Sequence, residues 1–289
     1  MKEQKWQITK IPTFDVKNIF ECGQCFRWNK ETENSYIGVF ENSVVRVEQT
    51  SKSIYFEGVN SQDRDLQEIC FSYFDRQRDY ESLQKQLKKA DSTLGQSIQY
   101  GQGIRILNQD LWETIISFII SANNNIPRIK GIIERLSKTY GQPIQWKENI
   151  YYTFPTPEEL AKASIEDLRK LGLGFRDKRV YETTKRIVEK KVDLEKLKEE
   201  KNFEKIRETL LTLPGVGEKV ADCILLFSTL KRLEAFPIDV WVKRVMNELY
   251  IHKEEAKVNN KEIQKIAYEK FGTLAGLAQQ YLFYWKREA

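Results

Sequence analysis

The chain has 289 residues, 40% of them hydrophobic and 31% charged, with 47 Lys and Arg against 42 Asp and Glu for a net charge of +5. That balance suits one large or two modest soluble domains, and a mildly basic surface permits nucleic-acid binding without establishing it. No run is long enough to span a membrane and MKEQKWQITK lacks the apolar stretch of a signal peptide, so a soluble, non-secreted monomer is expected. The four cysteines (Cys22, Cys25, Cys70, Cys223) read as reduced thiols, and one CxxC with a single histidine argues against a zinc site or a Ser/His/Asp apparatus. There is no late run of four cysteines to hold an iron–sulfur cluster.

In chain order, residues 26–28, 36–40, 44–48 and 53–56 are rich in β-branched and aromatic residues and separated by Asn, Glu, Thr and Ser. They are expected to pair as an antiparallel sheet packed by one face on helices. Residues 61–100 turn polar and helical, with Leu66, Ile69, Cys70, Tyr73 and Phe74 spaced for one face. From Leu107 the pattern is nearly all helical: Leu111, Ile115, Phe118 and Ile119 mark one buried helix, and Ile132, Ile133 and Leu136 the next. Thr156 and Pro157 open a further helix, Gly172-Leu173-Gly174 ends another, and residues 185–205 read as a solvated Lys/Glu face. The expected fold class is α+β: an N-terminal domain with an antiparallel sheet, 1–105, packed on a larger all-helical domain, 106–289.

The stretch from Leu211 to Asp239, LTLPGVGEKVADCILLFSTLKRLEAFPID, carries the most chemistry. Leu213-Pro214-Gly215-Val216-Gly217 interrupts one apolar helical pattern and a second begins at Val220, giving a helix-hairpin-helix. The two glycines allow a tight turn with positive φ, and the free N–H groups opening the second helix make a phosphate seat. Lys219 falls in that first turn, where the macrodipole disfavours a protonated amine; a neutral amine is what a nucleophile needs. Cys223 lies one turn on, on the same face. Asp239 follows Lys219 by twenty residues and precedes a new apolar pattern, as a helix N-cap would. Taken singly, the lysine is an ordinary surface charge and the aspartate an ordinary cap. LPGVGxK followed at that distance by Pro-x-Asp is a far rarer combination.

LPGVGEKVADC with its Pro-x-Asp resembles the helix-hairpin-helix DNA glycosylases, and among them the 8-oxoguanine DNA glycosylases. Four other motifs are similar to that family in the same order: GQCFRW from Gly23, NNNIPR from Asn123, GLGFR from Gly172, and AGLAQQYLF from Ala275. Alone, these are a turn before a strand, a helix connection, an aromatic beside a surface Arg, and an amphipathic last helix. The resemblance implies a bifunctional glycosylase/AP lyase in which Lys219 forms a Schiff base and Asp239 is the essential carboxylate. It implies that Gly23, Cys223, Gln279 and Phe283 surround the extruded purine. The Gly23 carbonyl would accept the N7–H that normal guanine lacks. It implies that Asn123, Arg128 and Arg176 bond the orphaned cytosine and that Phe175, commonly Tyr in the family, wedges beside it. Gly215 and Gly217 would seat a phosphate. The implied partner is double-stranded DNA containing 8-oxoguanine, with no metal or other cofactor, in the bacterial nucleoid or the nucleus of a eukaryote. Trp241 departs from the family, where His is frequent. Two other readings are a glycosylase for another oxidised base, against which GQCFRW and Gln279/Phe283 argue, and a non-catalytic DNA-binding module, which would not need Lys219 and Asp239 together.

Overall fold

Runs rich in β-branched and aromatic residues build the N-terminal unit as a five-stranded antiparallel sheet of order β1-β5-β4-β3-β2. The computed structural model describes residues 1–288. The strands are β1 (Gln4–Thr9), β2 (Trp28–Thr32), β3 (Ser35–Phe40), β4 (Ser43–Gln49) and β5 (Ser53–Asn60). Glu41 and Asn42 join β3 to β4 with φ of 44° and 60°, the left-handed pair that matches the twist of a tight hairpin. Two helices, α1 (Val16–Glu21) and α2 (Leu66–Tyr73), cover one face and are capped by Asp15 and Asp65. Between them lies an aromatic core in which Phe20 stacks on Trp28 at 4.0 Å and Phe40 on Tyr73 at 3.9 Å.

The helical body comprises α3 (Tyr80–Ala90), α4 (Leu94–Tyr100), α5 (Leu111–Ser121), α6 (Ile126–Tyr140), α7 (Pro157–Leu160), α8 (Ile165–Lys170) and α9 (Asp177–Val188). It continues with α10 (Leu194–Glu199), α11 (Phe203–Leu211), α12 (Glu218–Phe227), α13 (Val240–Met246), α14 (Asn260–Phe271) and α15 (Ala275–Glu288). Helix α5 is buried nearly all round, as its continuous apolar sequence dictates, and α6, α9 and α12 pack about it. Tyr80, Leu87, Leu94 and Ile98 of α3 and α4 join this same core, and Gln84 donates to the Tyr281 hydroxyl at 2.9 Å. The boundary expected at 105 therefore falls after two helices that already pack with the helical body.

Three elements differ from expectation. Strand β1 is half-exposed along its length, so its sequence QKWQIT looks like a polar terminus. A short hairpin, β6 (Pro143–Trp146) and β7 (Asn149–Tyr152), interrupts the helical region. The strand expected over 26–28 starts only at Trp28, because Phe26 turns into the helical core and packs edge-on against Phe118 at 5.5 Å. Arg105 joins the two units. It is fully buried, and its guanidinium donates to the carbonyls of Thr13, Phe74, Asp75 and Arg78 while lying 4.3 Å over the Tyr80 ring.

Candidate active site

The hairpin places the amine. Helices α11 and α12 are tied across their length by Arg207 and the buried Asp222, 2.9 Å apart, and joined by the turn 212–217. Gly215 has φ +87°, a conformation that L side chains resist, whereas Gly217 has φ −92° and needs no such freedom. What Gly217 supplies is space: nothing lies within 4 Å of where its side chain would be, and no side chain caps the helix that it opens. The first amides of α12 are thus left for an outside acceptor such as a phosphate oxygen.

Lys219, half-buried in that first turn, has its Nζ 5.5 Å from the Phe118 ring centre. Phe118 in turn packs on Phe227 and on Phe26 of the GQCFRW motif, so an aromatic floor connects the amine to the Gly23 loop. Asp239 caps α13 with one oxygen, which accepts from the amides of Trp241 at 3.0 Å and Val242 at 2.9 Å. Its other oxygen makes no hydrogen bond among the described residues. Both charges act on Cys223, which is buried one turn above Lys219. Burial pushes that thiol up to about 11; the Lys219 ammonium pulls it down and Asp239 raises it further. An amine, a carboxylate and an inert thiol are thereby gathered at the N-termini of two successive helices.

The Gly23 loop and α15 form the opposite wall. Gly23 has φ +85°, and a methyl there would sit 3.2 Å from the Phe283 ring. Three glutamines fix this loop. Gln24 donates to the carbonyls of Ile19 and Arg105 and accepts from Leu107. Gln109 donates to the carbonyls of Gln24 and Phe227, and Gln280 to that of Cys22 at 2.6 Å. Gln279, one turn before Phe283, is 4% exposed, and its side-chain oxygen is buried without a donor. Leaving such a group unpaired costs about 1–3 kcal/mol, which a ligand N–H would relieve. The sequence reading missed Phe118, Gln109 and Gln280, which hold the site from behind. It also missed Arg287, whose guanidinium lies 5.1 Å from the Phe283 ring centre and donates to the Glu21 carbonyl. Gln280 stands inside AGLAQQYLF but its role there is not marked, the others lie in no motif, and only tertiary proximity identifies them. Among the described residues no three His, Cys, Asp or Glu side chains are grouped to hold a metal ion.

A second cluster forms at the turns before α6 and α9. Asn123 is exposed with φ +50°, and Asn125 caps α6 through the Arg128 amide. Phe175 stands 56% exposed at the tip of the Gly172–Arg176 turn. Arg128 is exposed, with a single 3.4 Å contact to the Gly172 carbonyl. Arg176 is placed differently from the surface position that its sequence suggests. It is 1% exposed, and its guanidinium donates to the carbonyls of Ala122, Asn123 and Leu173. It props the Asn123 turn from beneath.

Against proteins of known family, residues 7–115 match the 8-oxoguanine DNA glycosylase N-terminal domain, and residues 116–271 match the HhH-GPD superfamily of base excision DNA repair proteins. The chain is 32% identical to the N-glycosylase/DNA lyase of Saccharomyces cerevisiae, over 93% of this chain and 82% of that one. It is 33% identical to a probable N-glycosylase/DNA lyase of Methanothermobacter thermautotrophicus, over 75% of this chain and 74% of that one. Its fold superposes with a TM-score of 0.90 on the Clostridium acetobutylicum 8-oxoguanine glycosylase/lyase bound to double-stranded DNA with cytosine opposite 8-oxoguanine. The two are 40% identical, and the match covers 98% of each chain.

Proposed function

Because this chain belongs to the HhH-GPD superfamily of base excision DNA repair proteins and carries the N-terminal domain of 8-oxoguanine DNA glycosylases, we propose that it excises 8-oxoguanine from duplex DNA and nicks the strand at the abasic site. The observation that carries this reading is the pairing of Lys219, opening α12 over an aromatic floor, with Asp239, which caps the next helix with one oxygen and keeps the other uncommitted among the described residues.

The flipped purine enters between Cys223 and Phe283, at an unstacking cost of a few kcal/mol. Gln279 meets its Watson–Crick edge and the Gly23 carbonyl its N7–H. The C1′–N9 bond breaks with its electron pair leaving on the purine, and the Asp239 carboxylate stabilises the positive charge that develops on the sugar. The Lys219 Nζ, having given up its ammonium proton, attacks C1′ with its lone pair and loses a further proton. The sugar ring opens at O4′, which takes up a proton, to give an imine between Nζ and C1′. Removal of a C2′ proton then drives the C3′–O bond apart, and the 3′ phosphate leaves with that electron pair. Gly215 and Gly217 seat a backbone phosphate. Phe175 fills the gap in the duplex, and Asn123, Arg128 and Arg176 face the orphaned cytosine. The protein acts as a monomer on chromosomal DNA.

The test is a cleavage panel with duplexes carrying 8-oxoguanine or an oxidised pyrimidine opposite cytosine, scored for strand nicking. Nicking confined to 8-oxoguanine is the expected result. Preference for the pyrimidine would move the enzyme to another lesion, and binding without nicking would make it a DNA-binding module.

A further inference from the structure

Four guanidiniums surround the Gly172–Arg176 turn: those of Arg128, Arg135, Arg176 and Arg179. None of the four has a carboxylate partner among the described residues, although Arg169 nearby is paired with Asp177 at 2.8 Å. Three of them spend donors on backbone. Arg176 bonds the carbonyls of Ala122 and Asn123, Arg135 that of Leu171 at 2.9 Å, and Arg128 approaches that of Gly172. Arg179 is exposed and makes no hydrogen bond or ion pair among the described residues.

Its position is nevertheless defined at both ends. The guanidinium carbon lies 5.4 Å from the centre of the exposed Phe175 ring, within cation–π range. The stem crosses the hairpin turn, and a methyl on Gly215 would lie 3.0 Å from both Cβ and Cδ of Arg179. Gly215 is thus glycine for two reasons, its positive φ and the arginine lying over it. Arg179 therefore holds an uncompensated charge between the aromatic tip of one turn and the open amides of another.

We infer that Arg179 binds a DNA phosphodiester next to the one seated by the hairpin, clamping the backbone across the Phe175 wedge and holding that ring in place. This rests on the glycosylase reading only for the role of Phe175; the phosphate contact itself requires only that the protein binds DNA. A planar, always-charged guanidinium with free donors suits a phosphate better than any other partner available there.

The experiment compares the full-length wild type with Arg179→Ala and Arg179→Gln, the latter keeping most of the stem that packs on Gly215. Binding to a duplex with a stable abasic analogue opposite cytosine is measured across a salt series, and nicking of 8-oxoguanine duplex by the wild type is measured in parallel. Each lost phosphate contact should lower the slope of log affinity against log salt by about 0.9. Both variants should show that drop, with weakened binding at low salt that converges on the wild type as salt rises. A strut without a phosphate contact would weaken binding by one factor at every salt concentration and leave the slope unchanged, and that result overturns the proposal. If Arg179→Ala does not fold, Arg179→Gln decides alone. A wild type that fails to nick, with slopes that still fall in the variants, would sink the glycosylase reading and leave the Arg179 contact standing.

Discussion

Asp239 shows how one side chain divides between structure and chemistry. One oxygen accepts two amides at the start of α13 and the other makes no hydrogen bond among the described residues. An amide can take over the cap but cannot stabilise a cationic sugar. Asp239→Asn should therefore fold, bind lesion duplex nearly as the wild type does, and excise the base about 10²–10³ times more slowly in single turnover. Near-wild-type excision would leave Asp239 as a cap only. Of the two arginines proposed to face the orphaned cytosine, Arg128 is exposed, whereas Arg176 is committed to carbonyls. Arg128→Ala should relax discrimination between cytosine and the other bases opposite the lesion by about 1–3 kcal/mol in relative excision rate. A uniform slowing with all four opposite bases would show Arg128 to be a phosphate contact or a structural residue. Lys219, Asp239, Gly23 and Phe283 stand out in the sequence because each sits inside a motif whose residue types the proposed chemistry requires. Gln279 is legible as a motif member, but its unpaired buried oxygen is not. Arg179 and Phe118 are invisible in one dimension: an arginine on a polar helix face and a phenylalanine in a buried helix carry no signal until the hairpin is folded onto them.

At the scale of elements, the hairpin turn carries a measurable conformational demand. Gly215→Ala must adopt φ near +87° and place a methyl 3.0 Å from Arg179 and 3.1 Å from Ile119. The backbone part alone costs about 1–2 kcal/mol. For a chain of this size that lowers the thermal midpoint by a few degrees. Gly217→Ala, with ordinary φ and open space, should leave the midpoint within about one degree of wild type. Thermal unfolding of the two variants checks this, and equal losses would mean that the asymmetry of the turn does not matter. The helical hairpin was readable because two long apolar patterns flank a Pro/Gly break. Strand β1 and the β6–β7 hairpin were not. The first alternates half-buried with exposed positions at a sheet edge, and the second has only four residues per strand. The first draws its stability from pairing with the distant β5, and the second from packing Ile144 and Trp146 against Ile37, Val39, Val44 and Val59 of the sheet, neither of which local propensity announces.

For the whole molecule, fold class followed from the sequence because strand-like and helix-like patterns are segregated along the chain. How the two units join did not, because Arg105 and Gln24 are buried, and Glu113 half-buried, as polar groups whose placement no periodicity announces. Glu113, in the first turn of α5, lines a cleft of about 360 Å³ between the sheet and the helical body. Burial pushes its carboxyl up to about 7, with Arg27 opposing and Asp110 adding to the rise. A folded-state value above the unfolded one gives stability that is complete below the unfolded pKa and is lost as pH rises through about 7. Glu113→Gln removes that dependence. Relative to the wild type, its thermal midpoint should therefore climb between pH 5 and pH 8. A difference that stays flat or falls over that interval would show Glu113 to be solvated. The central claim, that Lys219 is the nucleophile, is tested most directly by borohydride trapping on duplex DNA with 8-oxoguanine opposite cytosine. The wild type should be captured as a covalent protein–DNA adduct, and Lys219→Gln should bind the same duplex yet give none; capture of that variant at wild-type yield would contradict the account.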